Sequence, residues 1–190
     1  MKKQKIEAFE NLVSAFQDIP SIGKKSAIKM AYHLVMEDSF SAMKLSHAIE
    51  EGVNTIRRCK QCHNMSEDEL CFICCDEFRD TTMLCIVQSA KDIITIEESG
   101  QYRGIYYIVT QLSDLDEYHL KDAVRGVDEV IFAFPPSLAT DTMILYIEEK
   151  LKDIEGLKFT KIAQGVPTGV ELDNVDILSL GRAMESRVKI

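Results

Sequence analysis

A chain of 190 residues with 46% hydrophobic and 28% charged side chains fits one compact domain or two small ones sharing a core, and excludes wholesale disorder and collagen-like or low-complexity architectures. No apolar run approaches the roughly 18–20 residues of a membrane-spanning helix, and the basic start at Met1 leads into no apolar stretch, so the expectation is no membrane span, no secretory leader and a cytoplasmic location. The formal net charge of −9 is uneven: residues 1–62 carry +3 and residues 63–190 carry −12, which directs any nucleic-acid contact to the first third.

Residues 6–56 read as helical, in two amphipathic stretches broken at Asp18-Ile19-Pro20-Ser21-Ile22-Gly23, where Pro and Gly interrupt the pattern. On a helical wheel Ala27, Met30, Ala31, Leu34 and Val35 share one face. Lys25 and Lys29, at i and i+4, project together from the opposite one. Gly23 lets the backbone approach another molecule, and the helix behind it presents unpaired N–H groups beside lysines, a setting that suits a phosphate. Taken alone, the two lysines fit a solvated helix face better than a binding site.

The six cysteines lie at 59, 62, 71, 74, 75 and 85. Cys59-x-x-Cys62 and Cys71-x-x-Cys74, eight residues apart, supply two thiolates from each of two turns, as a tetrahedral Zn²⁺ requires. Disulfides are disfavoured in a reducing compartment. Four thiolates leave no open coordination position, so the expected role is structural, with Arg57, Arg58 and Lys60 offsetting the net negative charge. Cys75 and His63 are bystanders on this view, and Cys85 belongs to the core.

From Met83 onward apolar runs alternate with helical patterns. The expected strands are 84–87, 105–109, 130–134 and 158–162, and the expected helices 91–98, 118–124, 138–151 and 177–187. That alternation implies a largely parallel sheet covered on both faces. No internal repeat is visible.

Helical hairpin, four-cysteine segment and parallel α/β domain, in that order, resemble the RecR family of bacterial recombination mediators. The hairpin pattern of that family is present as Ile19-Pro20-Ser21-Ile22-Gly23-Lys24-Lys25-Ser26-Ala27. Arg79-Asp80 and Leu84-Cys85-Ile86-Val87 are similar to the start of a Toprim domain. Gly100-Gln101-Tyr102-Arg103-Gly104, Leu112-Ser113-Asp114-Leu115-Asp116, Gly165-Val166-Pro167-Thr168-Gly169 and Leu180-Gly181-Arg182-Ala183 match later family motifs. The implied fold is mixed α/β: a helix-hairpin-helix over 1–56, a zinc motif over 57–78, a Toprim-like domain with a mainly parallel sheet over 79–165 and a C-terminal helical segment over 166–190.

The resemblance implies binding to single-stranded and duplex DNA, assembly into a dimer or tetrameric ring, and work with RecO, in many bacteria also RecF, to load recombinase onto single strands coated by single-strand-binding protein. It places DNA-contacting cations at Lys25 and Lys29. Lys24, in place of a family Pro, adds charge at the helix start, and Gly23 completes the candidate set. Ser21 stands where the family has Gly.

Catalytic Toprim domains hold Mg²⁺ on a Glu after the first strand and an Asp-x-Asp pair after a later one. Here the first position is the neutral Gln88. Ala139 and Thr140 replace a family Glu and Gly, and Asp141 keeps an acid, with Asp114 and Asp116 on another loop. Val170 replaces the last Gly of a family pair, and Gly165 and Gly169 are not followed by Lys-Ser/Thr, so no P-loop is present. The expectation is therefore no catalytic residue, no Mg²⁺ site of consequence, and no nuclease, topoisomerase or NTPase activity. Two rivals remain at this stage: an active Toprim enzyme that cleaves DNA with a metal, and a zinc-stabilised adaptor that binds proteins only.

Overall fold

Phe9, Leu12, Val13 and Phe16 recur at helical spacing in α1 (Glu7–Gln17) and turn one face toward α2 (Lys24–Tyr32). Ala27 and Ala31 of α2 are fully buried against Val13 and Phe16, and their small side chains let the two helices approach closely. These residues belong to the first of two compact units, residues 1–56 and 57–190. The computed structural model describes residues 6–163, 165–166 and 169–185.

The expected second amphipathic stretch is not one helix. A π-helical turn, His33–Glu37, follows α2, and α3 (Ser39–Thr55) starts afresh after Asp38, whose carboxylate accepts from the Ser41 amide at 2.9 Å. The π turn shifts the helical phase. Leu34 stays partly buried, but Val35, expected on the apolar face, is exposed within the turn; Met30, also expected there, is exposed on α2 ahead of it. Helix α3 buries no residue, so Leu45, Ile49 and Val53 leave an apolar stripe uncovered along it.

The second unit begins with a short antiparallel pair, β1 (Arg57–Arg58) and β2 (Met65–Ser66). Its main sheet contains β3 (Asp80–Val87), β4 (Gly104–Ile108), β5 (Glu129–Phe132) and β6 (Lys158–Lys161), all parallel, in the order β4-β3-β5-β6. Helices α4 (Ala90–Ser99), α5 (Glu117–Ala123) and α6 (Leu138–Leu151) make the crossovers, and α7 (Ile177–Glu185) lies near the C-terminus. The sheet is parallel, as expected. The first three strands begin earlier than the apolar runs suggested and the last three end earlier, while β3 ends at Val87 and β6 starts at Lys158 as expected; the Val109 and Ala133 amides still bond to Val87 and Ile86 carbonyls at 2.8 and 2.9 Å.

Because side chains alternate along a strand, β3 divides its apolar residues between two cores. Leu84 and Ile86 join Tyr107, Val130 and Phe132 beneath Leu120 of α5 and Met143, Ile147 and Leu151 of α6. Cys85 and Val87 face the other way, with Tyr106 and Ile108, and meet Ile93 of α4 together with Cys59, Cys62, Cys71 and Ile73. One face of the sheet is thus covered by helices and the other by a helix plus the cysteine-rich segment.

The Gly-x-Tyr-Arg-Gly turn has a steric origin. Gly100 ends α4 in the left-handed region at φ 64°. The Tyr102 hydroxyl donates to the Met83 or Ile105 carbonyl, each 2.9 Å away, and thereby lies over Gly104. A β-carbon on Gly104 would meet that hydroxyl and come within 2.6 Å of the Met83 carbonyl. Gly104→Ala is expected to lower unfolding free energy by about 2–3 kcal/mol, read by urea denaturation, since backbone must shift to admit the methyl.

Arg79, ahead of β3, grips Glu97 of α4 through two guanidinium nitrogens, and Tyr106 donates to the same carboxylate at 2.6 Å. The Arg79 hydrogen bond holds the Glu97 carboxyl below its usual range. A depressed folded-state value contributes stability above the unfolded pKa and loses it as pH falls through the lower folded value. Glu97→Gln should therefore cost about 2 kcal/mol at pH 7. The gap to wild type should hold down to about pH 4.3 and close below it, as urea melts across pH would record.

Candidate nucleic-acid interface and metal centre

The hairpin between α1 and α2 is a type II turn in which the Ile22 amide bonds to the Ile19 carbonyl at 3.2 Å. Pro20 occupies its second position, where a fixed φ is favourable. Ser21 takes the third position at φ 70°, a conformation that ordinarily selects glycine. The chain keeps the hairpin geometry and carries the strain on a serine. Ser21→Gly should raise stability by up to about 1 kcal/mol, measured by thermal unfolding, because relief of strain exceeds the added freedom of the unfolded chain.

Gly23 caps α2 with ordinary extended dihedrals and no side-chain hydrogen bond, and nothing lies within 4 Å of the position its β-carbon would take. Its use is open space rather than unusual backbone. The first turn of α2 carries no acid, so its amides face outward beside lysines. Gly23, Lys24, Lys25 and Lys29 are all exposed, and none of the three lysines has a carboxylate partner among the described residues.

The four cysteines expected to bind metal come together: one sulfur from each of Cys59, Cys62, Cys71 and Cys74 lies within 4.8 Å of the others. Two knuckles of the same design achieve this. In the first, the His63 amide bonds back to the Cys59 carbonyl at 3.0 Å; in the second, the Cys75 amide bonds to the Cys71 carbonyl at 3.1 Å. His63 and Cys75 therefore hold equivalent places, each closing a turn through its backbone while its side chain stays out of the cluster. The Cys71 amide donates to the Cys59 sulfur at 3.3 Å, tying one knuckle to the other.

The donor set suits a soft dication. The Cys74 thiol, by hydrogen bonding, holds Cys62 down to about 6, while burial first pushes Cys71 up to about 11 and the bond to Cys62 first pushes Cys74 up. Four sulfurs this close ionise together only around a cation, which fits the closed thiolate site of structural zinc. Lys60, expected to offset the thiolate charge, is instead paired with Glu69 at 2.5 Å.

Sequence spacing did not reveal how this segment is fastened to the sheet. His119 of α5 donates from Nε2 to the Lys60 carbonyl at 2.8 Å and accepts at Nδ1 from the Tyr107 hydroxyl at 2.9 Å. Its ring stacks on His63, centroids 4.8 Å apart, and burial lowers the His63 pKa. The Ile108 amide bonds to the Cys62 carbonyl at 3.0 Å. The contacts that reach the cysteine-rich segment join residues 46 to 59 apart, with Tyr107 bracing His119 from 12 residues away, and no local pattern announces them.

The acids of the Toprim-like site do not converge. Gln88 sits half-buried at the end of β3. Ala139 and Asp141 are exposed on the first turn of α6, whereas Thr140 is buried and donates to the Pro135 carbonyl at 2.7 Å. Asp116 caps α5 through the Tyr118 and His119 amides, and Asp114 accepts from Gln111 at 2.9 Å. Among the described residues the four cysteines form the metal-capable cluster, and no carboxylate group joins or rivals it. Pro167 and Thr168 of the later glycine motif lie outside the described residues. No helix is long and apolar enough to cross a membrane.

Family models match in the same order as these structural parts. The RecR helix-hairpin-helix model matches residues 9–53, the RecR four-cysteine zinc finger domain 56–76, the Toprim domain 82–163, and the RecR C-terminal model 165–188. The chain is 53% identical over 190 residues to a recombination protein RecR from Nitratiruptor sp., covering 99% of this chain and all of that one. It is 44% identical to its namesake in Helicobacter pylori over 98% of this chain and 97% of that one. The corresponding protein of Campylobacter jejuni subsp. doylei is 46% identical, with 97% and 98% covered. With four models in register and full-length relatives at this identity, the chain belongs to the RecR family of recombination proteins.

Proposed function

We propose that the protein is a non-catalytic mediator of recombinational DNA repair that grips DNA through Gly23, Lys24, Lys25 and Lys29. In this role the hairpin region spans 1–56, the zinc motif 57–78, the Toprim-like domain 79–165 and the C-terminal segment 166–190. The observation that carries it is the hairpin itself: three exposed lysines without carboxylate partners among the described residues, beside outward-facing helix amides, in an otherwise acidic chain. The same reasoning assigns a structural Zn²⁺ to Cys59, Cys62, Cys71 and Cys74.

One small basic patch on a chain of net charge −9 holds DNA weakly. Several hairpins on one strand or duplex raise each other's effective concentration, so a dimer or tetrameric ring is the working form. The uncovered stripe of Leu45, Ile49 and Val53 on α3 supports self-association. RecO, and in some bacteria RecF, are the proposed partners in cytoplasmic recombinase loading, and the acidic body favours a basic partner.

The scattered acids support a protein that binds without cutting, with Mg²⁺ contributing nothing. The test is a mobility-shift assay on single-stranded and duplex oligonucleotides with and without Mg²⁺, followed by recovery of the DNA. Retention equal in both conditions, with intact DNA, is expected. Nicked or relaxed plasmid formed with Mg²⁺ would favour the Toprim enzyme, and no retention of any DNA would favour the protein-only adaptor.

A further inference from the structure

A cleft of about 270 Å³ lies within the second unit, between the cysteine-rich segment and the C-terminal ends of β3 and β4. Arg58 and His63 form one wall; Gln88, Gln111 and Asp114 line the other side. Parallel α/β sheets place ligands outside the carboxyl ends of their strands, and this volume lies near the small end of the ligand-pocket range.

The cleft's lining carries one cation, Arg58, and one carboxylate, Asp114, so an anion has one place to bind, at the Arg58 end. Arg58 is exposed and has no carboxylate partner among the described residues, whereas Lys60, Arg79 and Lys150 are each paired. The start of α4 does not supply the positive charge, because Asp92 already accepts from the Ser89 amide at 2.8 Å and the Ser89 hydroxyl at 2.9 Å. Arg58 must do so, and a guanidinium fork matches phosphate oxygens. Gln88 is neutral and has no side-chain hydrogen bond among the described residues. Its amide is free both to donate and to accept.

The remaining lining asks for more than inorganic phosphate. Asp114 offers carboxylate oxygens beside the Gln111 amide, which donates to it at 2.9 Å, and the floor is the buried run Tyr107 to Val109. A carboxylate next to amides reads the N–H edge of a base, cytosine N4 being a suitable donor. His63 helps shape the wall from a left-handed backbone at φ 66°, a region few non-glycine residues adopt and in which Asn, Asp and His are enriched.

We propose that this cleft binds one nucleotide, its phosphate on Arg58 and its base edge on Gln88, Gln111 and Asp114. The nucleotide is either free or one unit of a strand. The site is built from residues of the second unit alone and does not depend on the role of the hairpin lysines.

The test is an amide NMR titration of the full-length, zinc-loaded protein with dCMP, deoxycytidine, inorganic phosphate and a short oligodeoxycytidylate. The expected result is dCMP-dependent shifts at Gln88, Thr110 and Gln111, with deoxycytidine and inorganic phosphate at least tenfold weaker. Arg58→Ala and, independently of the cysteine segment, Gln88→Glu should each weaken dCMP at least tenfold while zinc content and the remaining spectrum stay native. Lys25→Ala with Lys29→Ala should leave dCMP binding unchanged. An oligonucleotide that shifts the same amides at lower concentration assigns the site to a strand; shifts by dCMP alone assign it to a free nucleotide. No shift at millimolar dCMP, undiminished binding by both variants, or equal binding of inorganic phosphate would overturn the proposal.

Discussion

Cys62→Ser is expected to lower zinc content well below one ion per chain and to reduce the thermal midpoint by about 10–20 °C. Cys62 is 1% exposed and sits in the same packed cluster as Cys85, Val87, Tyr106 and Ile108 of the sheet. A serine hydroxyl does not ionise near neutral pH, so three thiolates would remain around the ion. Structural zinc in comparable sites contributes about 10–16 kcal/mol of apparent binding energy, which in such segments is folding energy. Losing even about 5 kcal/mol of it would move the midpoint of a chain this size by the stated amount. The damage should reach β3 and β4 because the knuckles share the cover of that face with α4, and the Ile108 and His119 bonds fix them there. Cys75→Ser provides the contrast. Its side chain is exposed and outside the cluster, so metal content and midpoint should stay at wild-type values. Atomic emission for zinc and circular dichroism for unfolding would check both. A Cys62→Ser protein with full zinc and an unchanged midpoint would remove these cysteines from the metal centre.

Lys25→Ala combined with Lys29→Ala is expected to weaken DNA binding roughly 10- to 100-fold near 0.1 M salt. Both side chains are exposed on α2, four residues apart, and the buried positions of that helix are Ala27 and Ala31 on its other side. The double substitution removes no core contact, and alanine is the better helix former, so stability should hold. Each lysine that meets a phosphate releases a counterion, and in an oligomer the loss repeats at every hairpin. Fluorescence anisotropy with a labelled single strand and a labelled duplex would measure it. The fall should be similar for different sequences, because phosphate contacts position a protein on DNA without reading bases.

Much of this fold was legible from residue order because its signals are local. Apolar runs of β3 to β6 and the period of α4 to α6 marked the parallel sheet, and two Cys-x-x-Cys pairs marked the knuckles. What escaped was set by distant contacts or by small changes of phase. The π-helical turn at His33–Glu37 rotated Val35 out to solvent, against its place on an ideal wheel. Asp38 began a third helix because its non-helical backbone and carboxylate together make a cap, which composition alone does not distinguish from a polar surface residue. Lys60 was drawn to Glu69 across the knuckle loop rather than left to balance thiolates. The His119–Tyr107–His63 contacts join segments far apart in the chain and became visible only with the sheet and α5 in place. At the Toprim-like site, the substitution Gln88 was readable as a lost charge. That Thr140 is a buried cap and Asp116 a helix cap required the structure.

The most direct measurement is the slope of log binding constant against log salt concentration for single-stranded DNA, wild type beside the Lys25→Ala, Lys29→Ala double variant, in the full-length zinc-loaded protein. Each lost phosphate contact should flatten the slope by about 0.7. The double variant should therefore differ by at least about 1.4 per engaged hairpin. Superimposable slopes, with equal affinity at every salt concentration, would contradict a hairpin grip on the DNA backbone.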